Sequence, residues 1–186
     1  MTGAGAVEQA IHRAMDVMLR PRPAREGAPG RLDLLFDELT DPLSADPPHE
    51  IEDAIWDLWT AHDEPEAAGL MSRTIAAIAR REEDEATALA ELLVDGWPDW
   101  AEAWNKRATL RFITDDHLGS VGDIVETLLR EPRHFGAMSG LGQICLERGD
   151  PRSAMAAFDA ALAVNPHLHQ IRALRTELGE SAPKTN

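Results

Sequence analysis

Residues able to do chemistry are few in this chain, and they are scattered. His167 and His169, in His167-Leu168-His169, offer two imidazoles. A bound metal needs further ligands at matching spacing, and no cysteine or third ligand stands nearby, so no metal site is expected. Ser139-Gly140-Leu141-Gly142 has the outline of a nucleophile turn, but no strand precedes it and a helical pattern runs through it. The acids of Glu82-Glu83-Asp84-Glu85 read as a solvated helix start, where Asp84 or Glu85 favours the positive end of the helix dipole. His49, His62 and His134 fall near predicted turns, where histidine is commonly exposed. No glycine loop suited to cradling phosphate is present. The sequence therefore predicts no catalytic residue, no cofactor and no enzyme. What remains is Asn105-Lys106-Arg107, one amide and two adjacent cations. They interrupt an otherwise apolar helical stretch that holds Trp100 and Trp104, in a chain of net charge -15.

The composition narrows the classes. Apolar residues make up 44% of the 186, enough for a folded core. Thirty-three acids stand against eighteen bases, and lysine occurs only at 106 and 184. Nucleic acid needs a concentrated basic surface, so it is excluded as a partner. The single cysteine, Cys145, rules out an internal disulfide and sits in an apolar helical pattern as an inert thiol. No apolar run approaches the roughly 18 residues that cross a bilayer. Glu8, His12 and Asp16 break the apolar centre that a secretory signal needs. The expected compartment is the cytoplasm, or the periplasm if an export signal once preceded this chain.

The elements that position these residues repeat. Proline falls at 98, 132 and 166, a step of 34. Ala86, Ser120 and Ala154 are small in the same register, as are Thr74, Ala108 and Gly142. Arg73, Arg107 and Leu141 line up one residue earlier. Each period holds two helical patterns, such as Leu118, Val121, Ile124, Val125 and Leu128, then Ala154, Phe158, Ala161 and Leu162. Small residues let two antiparallel helices approach closely. The proline cannot continue a helix and marks the turn to the next pair. Asp150 and Pro151 are predicted as N-cap and first residue of the last such helix.

At 135–166 these features resemble the tetratricopeptide repeat. Leu141 and Gly142 fit its Leu-Gly pair, and Ala154, Phe158, Ala161 and Pro166 fit its second helix, with Cys145 in place of the expected tyrosine. Residues 101–132 fit through Trp104, Ala108, Ser120 and Pro132, and 67–98 through Ala86 and Pro98. The run 54–170 is also similar to small bacterial tetratricopeptide proteins of undefined role, through Ile55 to Trp59, Leu70 to Arg73, Trp104 to Leu110 and Glu131 to Gly142. The expected fold is an all-α helical-hairpin solenoid over 31–179. It comprises a degenerate repeat at 31–63, repeats at 67–98, 101–132 and 135–166, and a capping helix at 167–179. An N-terminal amphipathic helix and a Pro/Gly linker fill 1–30, and 180–186 is a tail.

The resemblance places the first helix of each pair along a concave wall. It implies a groove built from Met71, Ile75, Asn105, Thr109, Phe112, Ser139 and Gln143, with Lys106 at its rim. Apolar pockets beside amide side chains suit a peptide segment or a helix of another protein. Related repeats clamp a carboxylate with lysine and asparagine, but here Gly136 and Ser139 stand where the later repeat would offer bases. Arg73 and Arg107 occupy a position normally held by a packed leucine. An unpaired buried charge costs several kcal/mol, so each is expected to pair with a carboxylate, Glu91 or Asp123. The implied function is a non-catalytic interaction scaffold. The alternative is a self-association module in which the helix over 7–19 fills the groove of a second copy. An enzyme has no motif in its favour.

Overall fold

Each second helix of the repeats ends two residues before its proline, where the backbone can no longer continue the ladder of hydrogen bonds. The computed structural model describes residues 3–21 and 28–181. Among them are ten helices and no strand: α1 Gly3–Met18, α2 Arg31–Thr40, α3 Pro48–Thr60, α4 Pro65–Arg80, α5 Glu83–Gly96, α6 Ala101–Ile113, α7 His117–Arg130, α8 Phe135–Glu147, α9 Pro151–Val164 and α10 His169–Ser181. The all-α architecture is that of stacked helical hairpins. The pairs α4/α5, α6/α7 and α8/α9 pack most closely, and α10 lies against α9.

The register of small residues has a direct packing role. Ala86, Ser120 and Ala154 are all buried, as are Thr74, Ala108 and Gly142. Ser120 Oγ donates to the Ala108 carbonyl at 2.8 Å, tying the two helices of one pair where they come closest. At Gly142 even a methyl group would collide with the ring of Phe158, itself fully buried. Two second helices start on matching caps, where Asp116 and Asp150 accept from Gly119 and Ser153, while the first helix α8 starts on His134.

The N-terminal third packs out of sequence order. Val7, Ile11, Ala14 and Met18 form one buried stripe on α1. That stripe lies on α7 and touches α8 and α9, rather than the first hairpin of the array. Residues 31–63 supply a hairpin, α2–α3, but it does not stack on α4/α5. Its apolar face goes to α6 and to the turns on either side of the last pair. Arg133 Nη1 donates to Asp33 at 2.6 Å, Asn165 Nδ2 to Glu52 at 2.9 Å, and His167 Nε2 lies 3.1 Å from the Leu39 carbonyl. One continuous core therefore joins α1–α3 to α6–α10, while two smaller clusters join α4 and α5 to α6 through Leu110 and Ala103. Most of the Pro/Gly linker (22–27) and of the tail (182–186) lies outside the described residues.

Candidate functional site

The hairpin α6/α7 and the helix α8 bring five of the expected groove residues to one place. Asn105, Thr109 and Phe112 from α6 face Ser139 and Gln143 from α8 across a cleft of about 180 Å³, whose floor includes Ala108, Ile124 and Ile144. They share a wall because each first helix repeats its inward face with the same 34-residue step. Ser139 and Thr109 turn their hydroxyls back onto carbonyls one turn earlier, at 2.8 and 2.9 Å.

Met71 and Ile75 are not part of this cleft. Met71 is 1% exposed and packs with Leu93, Val94 and Ala103, where its flexible side chain fills space beside Trp97, Trp100 and Trp104. Ile75 is 41% exposed on the first hairpin. Neither lines the cleft between α6 and α8.

The paired cations have separate duties. Lys106 Nζ sits 2.5 Å from Glu102 Oε1 and over the ring of Trp56, 5.5 Å from its centre, with its side chain 17% exposed. It is a held charge and not a free rim residue. Arg107 donates through Nε and Nη2 to both oxygens of Asp123, each at 2.9 Å, and stacks on Trp104. The hydrogen bonds to Asp123 raise the Arg107 pKa against the opposing effect of burial, and Glu91 adds to them at longer range. Arg73 differs. Its side chain is 63% exposed, and it meets Glu85 at 3.5 Å rather than Glu91. One period before Asp123 stands Leu89, so Arg73 has no acid at the matching place on its partner helix.

Beside the cleft lies a buried polar cluster. Glu102 is 1% exposed and His134 0%. Glu102 Oε2 lies 2.8 Å from His134 Nε2 and 3.1 Å from Asn105 Nδ2. His134 Nδ1 accepts the Ala137 N–H at 3.1 Å, so the ring proton belongs on Nε2 and points at Glu102. Burial pushes the Glu102 carboxyl up, but the His134 hydrogen bond and the charges around it, with Lys106, outweigh that and hold it below the usual glutamate range. A histidine with one nitrogen spent as a helix cap and the other on a carboxylate has no lone pair left for base catalysis.

Two tryptophans of α3 roof this cluster. Trp59 stacks on His134, 4.1 Å between ring centres and 10° between planes, and its carbonyl accepts the Trp100 indole N–H at 2.8 Å. Trp56 lies edge-on to Trp59, His134 and Phe135. A Cβ at Gly136 would stand 2.8 Å from the Trp56 ring, so only glycine admits it at that distance. His134 was expected near the surface and is instead buried. The signal lay in the repeat: His134 falls one period after Trp100, and both meet Trp59. Among the described residues no group of three His, Cys, Asp or Glu is placed to hold a metal ion, and no helix is long and apolar enough to cross a membrane.

No family model matches the chain. A tetratricopeptide (TPR) repeat-containing protein of Rhizobium etli is 31% identical to it over 151 residues, covering 81% of this chain and 74% of the relative. With that likeness, the 34-residue hairpin array and the leucine–glycine, alanine and proline register, the chain belongs to the TPR repeat-containing proteins, a family of generally non-catalytic scaffolds that contact other proteins.

Proposed function

We propose that this chain is a non-catalytic scaffold that holds a segment of another protein in the cleft between α6 and α8. The observation that carries the reading is the meeting of Asn105, Thr109, Phe112, Ser139 and Gln143 around one concave space, apolar at its floor and lined with amides and hydroxyls at its sides. Such a mixture suits a peptide, whose side chains need apolar contact and whose backbone needs hydrogen bonds. The alternative, in which α1 fills the groove of a second copy, draws no support from the packing, because the apolar stripe of α1 is already buried on α7 of its own chain.

The experiment is affinity capture from the native cell, comparing the wild-type chain with Asn105→Ala plus Gln143→Ala and with the cleft-filling Ser139→Trp. Loss of the same partner from both variants, with far-ultraviolet dichroism unchanged, is the expected outcome. A partner retained equally by all three chains places the interaction elsewhere.

A further inference from the structure

A second hollow lies on another face of α6, where the turn from α4 to α5 meets the end of that helix. Its volume is about 320 Å³, and it shares no residue with the cleft. Ile78, Ala86, Leu110 and Ile113 form an apolar floor, with Arg81, Glu82 and Glu83 at the rim. Ile113 is 48% exposed, so part of that apolar surface faces water. The repeat shows how the matching place is closed one period on, where Ile78, Glu83 and Ile113 become Phe112, His117 and Glu147. The His117 ring stacks on Phe112, 5.8 Å between centres and 19° between planes, and its Nε2 lies 3.1 Å from Glu147 Oε2. A polar ring with an apolar face and a carboxylate at its tip fills the space there. At the first junction an isoleucine replaces the phenylalanine and an acid stands in place of the histidine, so the floor stays open. Glu82 is spent on Arg80 at 2.6 Å. Glu83 has no cation among the described residues. Arg81 has a left-handed backbone, with φ 59°, and its counterparts at the next two turns are Asp115 and Gly149.

We propose that this hollow receives one arginine or lysine side chain of a basic partner protein. The methylene stem lies along Ile78, Leu110 and Ile113, and the cationic head reaches Glu83 at the rim. Long basic side chains bury their stems on apolar surface while the charge stays at the edge. A chain of net charge -15 steers such a partner toward itself. An acidic side chain would be repelled by Glu82 and Glu83, and a purely apolar one would gain the floor but nothing from Glu83. The hollow is a contact point separate from the cleft, and either stands without the other.

The test pans a random-peptide display library on the full chain. The counter-selected variant carries Ile78→Phe, Glu83→His and Ile113→Glu, the set that closes the matching place one repeat later. Far-ultraviolet dichroism and Tm check its fold, and Glu83→Gln, a change at an exposed residue, gives a second comparison. Peptides enriched on the wild type should share one essential arginine or lysine, and Ser139→Trp in the cleft should leave their binding unchanged. Replacing that residue by its uncharged analogue, citrulline or acetyl-lysine, should cost about fivefold in affinity at low salt. Alanine should cost more than about tenfold, because the buried stem is lost as well. Glu83→Gln should shrink the penalty of the uncharged analogue. Arg81→Gly, which a left-handed position tolerates, should raise affinity by removing a competing cation. No enrichment, binding that is equal on the wild type, the triple variant and Glu83→Gln, or an essential residue that is acidic or purely apolar overturns the proposal. Peptides lost from Ser139→Trp but kept by the triple variant also overturn it, and they support the cleft instead.

Discussion

Arg107 and Asp123 can be exchanged for the leucines that neighbouring repeats carry at the same places, Leu141 and Leu89. The two single changes and the double change then form a cycle whose outcome follows from the geometry. Asp123 is 2% exposed and takes three guanidinium contacts at 2.9 Å, two from Arg107 and one from Arg111. Asp123→Leu leaves Arg107, whose side chain is 14% exposed, without its carboxylate. Removing one member of a buried pair costs about 3–5 kcal/mol. Stacking on Trp104 and some solvent access put this case at the low end, roughly 3 kcal/mol. Arg107→Leu is milder because Asp123 keeps Arg111, and a lost charge-assisted hydrogen bond costs about 1.5–3 kcal/mol. In the double variant neither charge is stranded. Arg111, 31% exposed, retains Asp116 at 3.8 Å and the Gly119 carbonyl. The double change should cost only about 1–2 kcal/mol, which gives a coupling of roughly 3 kcal/mol between the sites. Urea unfolding followed by tryptophan fluorescence measures all four chains, and in thermal melts Asp123→Leu should lower Tm by about 6–12 °C. Additive single effects, with coupling below about 0.5 kcal/mol, would refute the claim that this pair is a strut between helices.

Two further outcomes follow from other contacts. Gly142→Ala places a methyl group against Phe158 and should destabilise by about 1–3 kcal/mol despite the better helix propensity of alanine; Phe158→Leu added to it should recover part of that loss in the same unfolding assay, and a stabilised Gly142→Ala chain would contradict the packing. Glu102 has a lowered pKa, so the stability it contributes is fully present above the unfolded glutamate value of about 4.3 and is lost as pH falls through the folded value; Glu102→Gln should therefore be less stable than wild type at neutral pH and converge with it in acid, and parallel curves from pH 7 down to about 3 would contradict this.

The repeat was readable because three kinds of residue keep one step: proline at the turn, small residues at the close approach, and the inward face of each first helix. That is why Asn105, Thr109, Phe112, Ser139 and Gln143 emerge together from spacing and resemblance. The losses have equally specific causes. Period carries a position forward but not its partner, so Arg107 finds Asp123 while Arg73 faces Leu89 and swings to Glu85. Met71 holds a groove position but is spent on the contact of α4 with α5 and α6, and Ile75 is exposed outside the cleft. The placement of α2–α3 depends on contacts across more than 100 residues, such as Leu39 to His167, and no local pattern encodes them. His134 carried a signal in its register with Trp100, but a histidine beside a predicted turn suggests a surface long before it suggests a core.

The route of the first sixty residues also bears on the order in which the chain matures. Asp33, Glu52 and Leu39 meet residues 100, 113 and 128 positions further on. During synthesis the leading helices leave the ribosome well before their seats exist, with the apolar stripe of α1 and both tryptophans of α3 uncovered. Pairings this distant in sequence close late and slowly. The segment made first is therefore the last to settle, and a nascent chain halted before α8 exposes oily surface at its front end, the condition that invites aggregation or chaperone capture.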